Sequence, residues 1–142
     1  MTCAPRATCS GHEGVVSAIK YNADGSLLAS SSADRTARIW SAGTADPGVL
    51  KQTCSGHEHG ISDVCWHPQQ PYIATASDDK SLGLWDLESG TRIRSFQGHT
   101  HFVFCCKFHN LGSILVRFHK LGERVVRRVC SVSASSVAPT TP

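Results

Sequence analysis

The chain has 142 residues, of which 40% are hydrophobic and 18% are charged, and its formal net charge at pH 7 is +3. These proportions are typical of a globular domain. The sequence has no window of about 18 apolar residues, and its first residues lack the apolar segment of a signal peptide. We therefore expect neither membrane insertion nor secretion, and a location in the cytosol or the nucleus.

The basic surplus lies near the end of the chain. Residues 1–116 carry 9 basic and 10 acidic side chains, whereas residues 117–142 carry 5 and 1. No aromatic platform or groove-reading motif accompanies these basic residues, so we expect no direct nucleic-acid partner. Residues 131–142 consist mainly of Ser, Thr, Ala, Val and Pro, a composition that buries too little apolar surface to order itself.

Seven cysteines and eight histidines raise the question of a metal site. No Cys-x-x-Cys pair occurs, and the adjacent Cys105 and Cys106 would point to opposite faces of a strand. The ligand spacings of known zinc modules are also absent. We expect reduced thiols, no metal and no cofactor.

An internal repeat organises the sequence. The pair Gly-His recurs at residues 11, 56 and 98, at spacings of 45 and 42 residues, and Trp40 and Trp85 each lie 28 residues after a repeated histidine. Residues 11–42 overlay residues 56–87 without a gap, and 8 of the 32 positions are identical. The chain is therefore built from units of one kind.

Each unit reads as short strands separated by turn residues. The predicted strands are 15–21, 27–32 and 37–42 in the first unit, 61–67, 72–77, 82–87 and 92–96 in the second, and 102–108 and 113–116 in the third. Four strands in a period near 42–45 residues, with Trp-Asp at residues 85 and 86, is the pattern of a WD40 propeller blade.

On these residues the sequence resembles the WD40 family. The resemblance implies an all-β fold, an incomplete WD40 β-propeller with two full four-stranded blades plus part of a third. Its predicted parts are an incoming outer strand at 1–10, repeat 1 at 11–55, repeat 2 at 56–97, a partial repeat 3 at 98–116, and a divergent basic, then low-complexity tail at 117–142. The third unit departs because Leu121 and Arg127 stand where the turn aspartate and the tryptophan would be. We therefore expect an N-terminal piece of a longer propeller.

The same resemblance implies a hydrogen-bonded structural relay in each blade, made by a histidine, a serine, an aspartate and a tryptophan. The residues at these positions are His12, Ser32, Asp34 and Trp40 in the first unit, and His57, Ser77, Asp79 and Trp85 in the second. A Ser, His and Asp set also suggests a hydrolase triad. However, no Gly-x-Ser-x-Gly elbow is present, and the set recurs in every blade as scaffold. We expect no catalytic residue and no enzyme activity.

Several segments go beyond the general WD40 pattern. Residues 30–34, 60–66, 77–80 and 102–108 resemble the WD40 scaffold subunit of histone H3 lysine-4 methyltransferase (COMPASS/MLL-type) complexes, within a similarity that covers roughly residues 8–116. That resemblance implies a site for an arginine side chain, from the histone H3 tail or from a methyltransferase-complex subunit. The matching residues here are Ser17, Ala33, Gly60, Ser62, Asp78 and Phe104.

The repeat spacing favours the same grouping. Ser17, Ser62 and Phe104 each lie five residues after a repeated histidine, and Ala33 and Asp78 each lie one residue before a turn aspartate. Equivalent positions of successive blades would meet around one channel mouth.

Other interpretations stay open. The same residues could be ordinary strand serines, a core phenylalanine and a turn former. A WD40 adaptor of another assembly, such as a ubiquitin ligase or a splicing complex, would use the same scaffold residues. The chain could also be a truncated, weakly functional product. We predict a nuclear, non-catalytic interaction scaffold that binds the histone H3 tail within a lysine-4 methyltransferase complex.

Overall fold

The computed structural model describes residues 7–97 and 100–109, together with the backbone of two further strands at 114–121 and 124–131. Within these residues the chain forms eleven strands and no helix, and every strand pair is antiparallel. None of the described residues belongs to a helix long and apolar enough to cross a membrane. The predicted all-β class is confirmed.

The first two sheets have four strands each, which pair in chain order as a meander. The first sheet contains β1 Val16–Tyr21, β2 Leu27–Ser32, β3 Thr36–Ser41 and β4 Leu50–Ser55. The second contains β5 Ile61–Trp66, β6 Tyr72–Ser77, β7 Leu82–Asp86 and β8 Arg92–Phe96. Each is a complete four-stranded blade. The seven strands predicted for these two units agree with the observed bounds to within one residue at each end, and β4 was not predicted.

The turn between the second and third strands is the same in both blades. Arg35 and Lys80, one residue after the turn aspartates, have φ angles of 73° and 72°. Residues other than glycine rarely adopt this left-handed conformation, so its recurrence shows that surrounding contacts hold it. One such contact is a hydrogen bond from the Asp34 backbone N–H to Ser32 Oγ, at 3.1 Å.

The third sheet has three strands, β9 Val103–Phe108, β10 Ile114–Leu121 and β11 Arg124–Ser131. The partial repeat was predicted to end at residue 116, with a divergent tail from 117. In the structure β10 crosses that boundary and β11 pairs along its whole length. Backbone pairing does not require the relay aspartate or tryptophan that the third unit lacks. Residues 132–142, the rest of the predicted low-complexity end, lie outside the described residues.

The segment 1–10 was predicted as an incoming outer strand. Its described part, residues 7–10, is not in a strand, and residues 1–6 lie outside the described residues. The first sheet already has β4 in its outer position.

Two apolar clusters hold adjacent sheets together. The first joins the first and second sheets and contains Ala29, Ala37, Ile39, Cys54, Ile61, Val64, Ile73 and Trp85. The second joins the second and third sheets and contains Cys65, Ala74, Ala76, Leu82, Leu84, Phe96, Val103, Cys106 and Phe108. The hydrophobic core of this chain therefore lies between blades, as expected for stacked repeats that each contact only their neighbours.

The first strand of the first sheet has an exposed apolar face. Ile61 and Val64 on β5 are 2% and 0% exposed, because the first sheet covers them. The equivalent β1 residues, 45 positions earlier, are Val16 and Ile19, which are 47% and 62% exposed. The surface that each later blade buries against its predecessor is thus open to solvent on the first blade.

Candidate functional site

A chain of hydrogen bonds crosses the first blade from tryptophan to aspartate. The Trp40 indole N–H donates to Ser30 Oγ at 2.8 Å, Ser30 Oγ contacts His12 Nε2 at 2.7 Å, and His12 Nδ1 contacts Asp34 Oδ2 at 2.8 Å. Asp34 also accepts hydrogen bonds from the backbone N–H of Glu13 and from both N–H and hydroxyl of Thr36. Strands β2 and β3, the turn between them and the loop before β1 are therefore tied together.

The second blade repeats this arrangement with a threonine in place of the serine. Trp85 donates to Thr75 Oγ1 at 2.8 Å, Thr75 Oγ1 contacts His57 Nε2 at 2.7 Å, and His57 Nδ1 contacts Asp79 Oδ2 at 2.7 Å. The agreement between two independent blades to about 0.1 Å marks the relay as a property of the repeat. The Gly-His pair of the third unit, Gly98 and His99, lies outside the described residues.

The hydroxyl of the relay is not the one that the sequence analysis assigned. Ser32 and Ser77 were predicted in this position, and that assignment is wrong, because Ser30 and Thr75 lie between the histidine and the tryptophan. Ser32 and Ser77 lie two residues further along the same strand face and instead support the turn. Ser77 Oγ accepts the Asp79 backbone N–H at 3.1 Å and lies 3.0 Å from the Gly60 carbonyl oxygen, to which it donates.

The relay works with a neutral histidine and an ionised aspartate. Burial lowers the pKa of His57 and outweighs the opposing effect of the nearby Asp79 carboxylate. Burial alone would raise the pKa of Asp79, but hydrogen bonds from Ser81 and His57 outweigh it and lower that pKa to about 2. In this state His57 Nδ1–H donates to the carboxylate, Nε2 accepts the threonine O–H, and every polar group has a partner.

The relay is built for structure and offers no accessible nucleophile. Ser30 is 4% exposed and Thr75 is 0% exposed, and each hydroxyl oxygen already accepts an indole N–H. A catalytic hydroxyl must instead reach a substrate carbonyl. Among the described residues, no group of three or more His, Cys, Asp or Glu side chains is arranged to hold a metal ion.

A β-bulge recurs near the start of the first strand of each sheet. In each case the pairing register passes over the second residue of that strand. The passed-over residues are Ser17, Ser62 and Phe104. A bulge bends the strand and redirects the side chain of the extra residue, and bulges are frequent beside binding sites. These three are the positions that lie five residues after a repeated histidine.

Four of the predicted arginine-site residues lie on the seam between the first and second blades or beside it. Gly60 lies directly against Ala33, so that a Cβ on Gly60 would come 3.2 Å from the Ala33 Cα. Ser17 Oγ contacts Ser31 Oγ at 2.9 Å and donates to the Ile61 carbonyl oxygen across the seam. The backbone N–H of Asp78 donates to the Gly60 carbonyl oxygen at 3.0 Å. Glycine at position 60 thus permits a close approach of the two blades.

The remaining two residues supply a polar pair and an aromatic ring. Ser62 Oγ donates to Asp78 Oδ1 at 2.8 Å, which holds the half-buried carboxylate in place. The Phe104 side chain is 47% exposed, so its ring is accessible to a partner. We call the set Ser17, Ala33, Gly60, Ser62, Asp78 and Phe104 the rim. Its use as an arginine site stays a prediction.

The relatives of this chain point to the repeat rather than to one protein. Protein Mut11 of Chlamydomonas reinhardtii is 60% identical over 35 residues, which are 25% of this chain and 10% of that protein. The periodic tryptophan protein 2 homolog of Schizosaccharomyces pombe is 61% identical over 33 residues, which are 23% of this chain and 4% of that protein. The chain thus matches only a small part of the length of each.

The match to a family is broader. Residues 3–41, 48–86 and 90–116 match the family described as WD domain, G-beta repeat, and these segments make up well over half of the chain. They contain all eight strands of the two complete blades and the relay residues described above. The chain belongs to the WD40 repeat family.

Proposed function

We propose that the chain presents the rim to an arginine-bearing segment of the histone H3 tail, as part of the nuclear scaffold of a histone H3 lysine-4 methyltransferase complex. WD40 repeats are protein-interaction modules, and a scaffold role for this chain follows from its family. The observation that carries the proposal is the bulge shared by Ser17, Ser62 and Phe104.

The chemistry of the rim suits a guanidinium group. A planar, delocalised cation stacks on an aromatic face and donates to carboxylate and carbonyl oxygens through its fork of N–H groups. Phe104 offers the exposed face, and Asp78 offers the negative charge. A lysine ammonium could use the charge but would gain less from the ring, so the rim favours arginine.

The affinity of this chain is expected to be low. A cation stacked on a half-exposed ring gains about 0.5–1 kcal/mol, because the contact is made from one side only and stays in water. Losses of translational and rotational freedom then consume most of the gain. We expect binding of an arginine-bearing H3 peptide no tighter than about 1 mM.

Chemical-shift mapping by NMR is suited to such weak binding. Titration with an H3 N-terminal peptide should shift the amides of Ser62, Asp78 and Phe104, and a peptide with alanine in place of its arginines should not. Phe104→Ala should weaken binding by about 2–5-fold, the loss of one exposed cation–π contact. Phe102→Ala is the matched control, because Phe102 is also exposed, at 50%, but does not lie at a bulge.

Two results would contradict the histone proposal. One is equal shifts with and without arginine in the peptide. The other is a Phe102→Ala variant that loses as much affinity as Phe104→Ala. Shifts confined to residues away from the rim would favour an adaptor of another assembly, such as a ubiquitin ligase or a splicing complex.

A further inference from the structure

Two cysteines of neighbouring blades meet inside the second interblade cluster. Cys65 lies on β5 and Cys106 lies on β9, 41 residues later in the chain, and their Sγ atoms are 3.3 Å apart. Both side chains are buried, at 5% and 2% exposure. A disulfide bond is about 2.05 Å long, so a modest approach of the two sulfur atoms would allow them to bond.

The surrounding contacts hold the two strands in this position. The Cys106 backbone N–H donates to Asp63 Oδ2 at 3.1 Å, and the other oxygen of that carboxylate pairs with Lys20 at 2.9 Å. The Cys106 thiol also contacts the Ala74 carbonyl oxygen at 3.5 Å. Asp63 therefore connects all three sheets at the level of the thiol pair, and β9 cannot slide along β5 without losing a charge-assisted hydrogen bond.

We propose that Cys65 and Cys106 are a disulfide-forming site that joins the second blade covalently to the third, with glutathione disulfide as the oxidant. One protein thiolate attacks glutathione disulfide, releases one glutathione and forms a mixed disulfide. The second protein thiolate then attacks the protein sulfur of that bond and releases the second glutathione. The protein loses two electrons and two protons overall, and glutathione disulfide is reduced to two thiols.

The fold favours this pair over links to Cys9 or Cys54. Two sulfur atoms held in contact have a far higher effective concentration than two thiols on separate surfaces, which favours the intramolecular bond at equilibrium. Cys54 is buried in the first interblade cluster, and Cys9 is exposed on the loop before β1. Neither is in sulfur contact with Cys65 or Cys106 among the described contacts.

Burial of the two cysteines slows disulfide formation more than it changes the equilibrium between the thiol pair and the disulfide. It raises the pKa of the Cys106 thiol well above its usual range, so little of the attacking thiolate exists at neutral pH. Exchange should therefore be slow at pH 7 and faster at higher pH. Both the thiol pair and the disulfide are uncharged, so burial does not oppose the oxidised state.

The test is an equilibrium titration of the full chain in glutathione buffers of graded redox ratio. After acid quenching and alkylation, digestion without reductant and mass spectrometry identify the linked peptides. The link between Cys65 and Cys106 should form at a more reducing ratio than any other link, with the loss of two hydrogens. Cys54→Ser should leave it unchanged. Cys65→Ser should abolish it and leave Cys106 as an alkylated thiol.

Two outcomes would overturn the proposal. In one, links are spread among the cysteines without preference for this pair. In the other, Cys65 and Cys106 are both recovered as alkylated thiols at ratios where Cys9 already carries glutathione. Because Cys65→Ser could disturb packing, its circular dichroism is compared with that of the parent chain, and Cys65→Ala provides a second variant of similar size.

Discussion

Replacing Trp85 with alanine is expected to lower the free energy of unfolding by about 3–5 kcal/mol. The side chain is 1% exposed, packs in the first interblade cluster and donates a hydrogen bond to Thr75. Its removal leaves a cavity between two sheets and deprives a buried hydroxyl of its donor. Since small domains are stable by only about 5–15 kcal/mol, this one change should remove a large share of the total.

Trp66→Ala is the matched control for that experiment. Trp66 is half-buried and its indole N–H donates to the Lys20 carbonyl oxygen at 2.8 Å, so it also bridges the first two blades. It leaves no enclosed cavity when truncated and should cost clearly less. Urea denaturation of the two variants makes the comparison, and an equal or larger loss for Trp66→Ala would show that the core does not lie where we place it.

Asp79→Ala is expected to destabilise the chain by about 2–3 kcal/mol. The Asp79 carboxylate accepts hydrogen bonds from His57, from the Glu58 backbone N–H and from both N–H and hydroxyl of Ser81. Its loss leaves several of these donors without a partner in a site where the side chain is only 8% exposed.

Asp24→Ala should have a much smaller effect on the same denaturation curve. Asp24 accepts a backbone N–H from Ser26 within a single exposed turn, where water can replace the lost oxygen. Similar midpoints for the two variants would mean that the relay contributes no more to stability than an ordinary turn.

Most of the fold could be predicted from the sequence because two aligned units carry the same pattern of strands and turns. Two units that align without a gap show the same alternation and the same turn residues, so errors in one are corrected by the other. The strand β4 was missed, although its equivalent β8 was predicted. Its sequence, Leu-Lys-Gln-Thr-Cys-Ser, has only one strongly apolar residue on the face that carries the buried Cys54. The alternation of apolar and polar residues that indicates a strand is therefore weak in this segment.

The wrong assignment of the relay hydroxyl has a physical explanation. Ser32 and Ser77 are identical between the two units and lie near the aspartate in sequence, which makes them the obvious pair. The true relay position holds Ser30 in one blade and Thr75 in the other, because only a hydroxyl is required. Residues two apart share a strand face, so spacing alone could not decide between them.

The bulges and the thiol contact could not be read from the sequence. A bulge has no fixed residue signature here, since its extra residue is a serine in two sheets and a phenylalanine in the third. Cys65 and Cys106 meet through the packing of one blade on the next. The two cysteines are 41 residues apart in the chain, and no sequence pattern links them.

Nitrogen-detected NMR of His57 tests the relay most directly. If His57 links Thr75 to an ionised Asp79, its ring should be neutral at pH 7, with the proton on Nδ1 and none on Nε2. Its pKa should lie below the ordinary value of 6.5. The unfolded chain then takes up a proton at higher pH than the folded chain, so stability should fall as pH falls below about 6.5. A proton on Nε2, or titration at or above 6.5 with no loss of stability in that range, would contradict the relay as the element that holds each blade together.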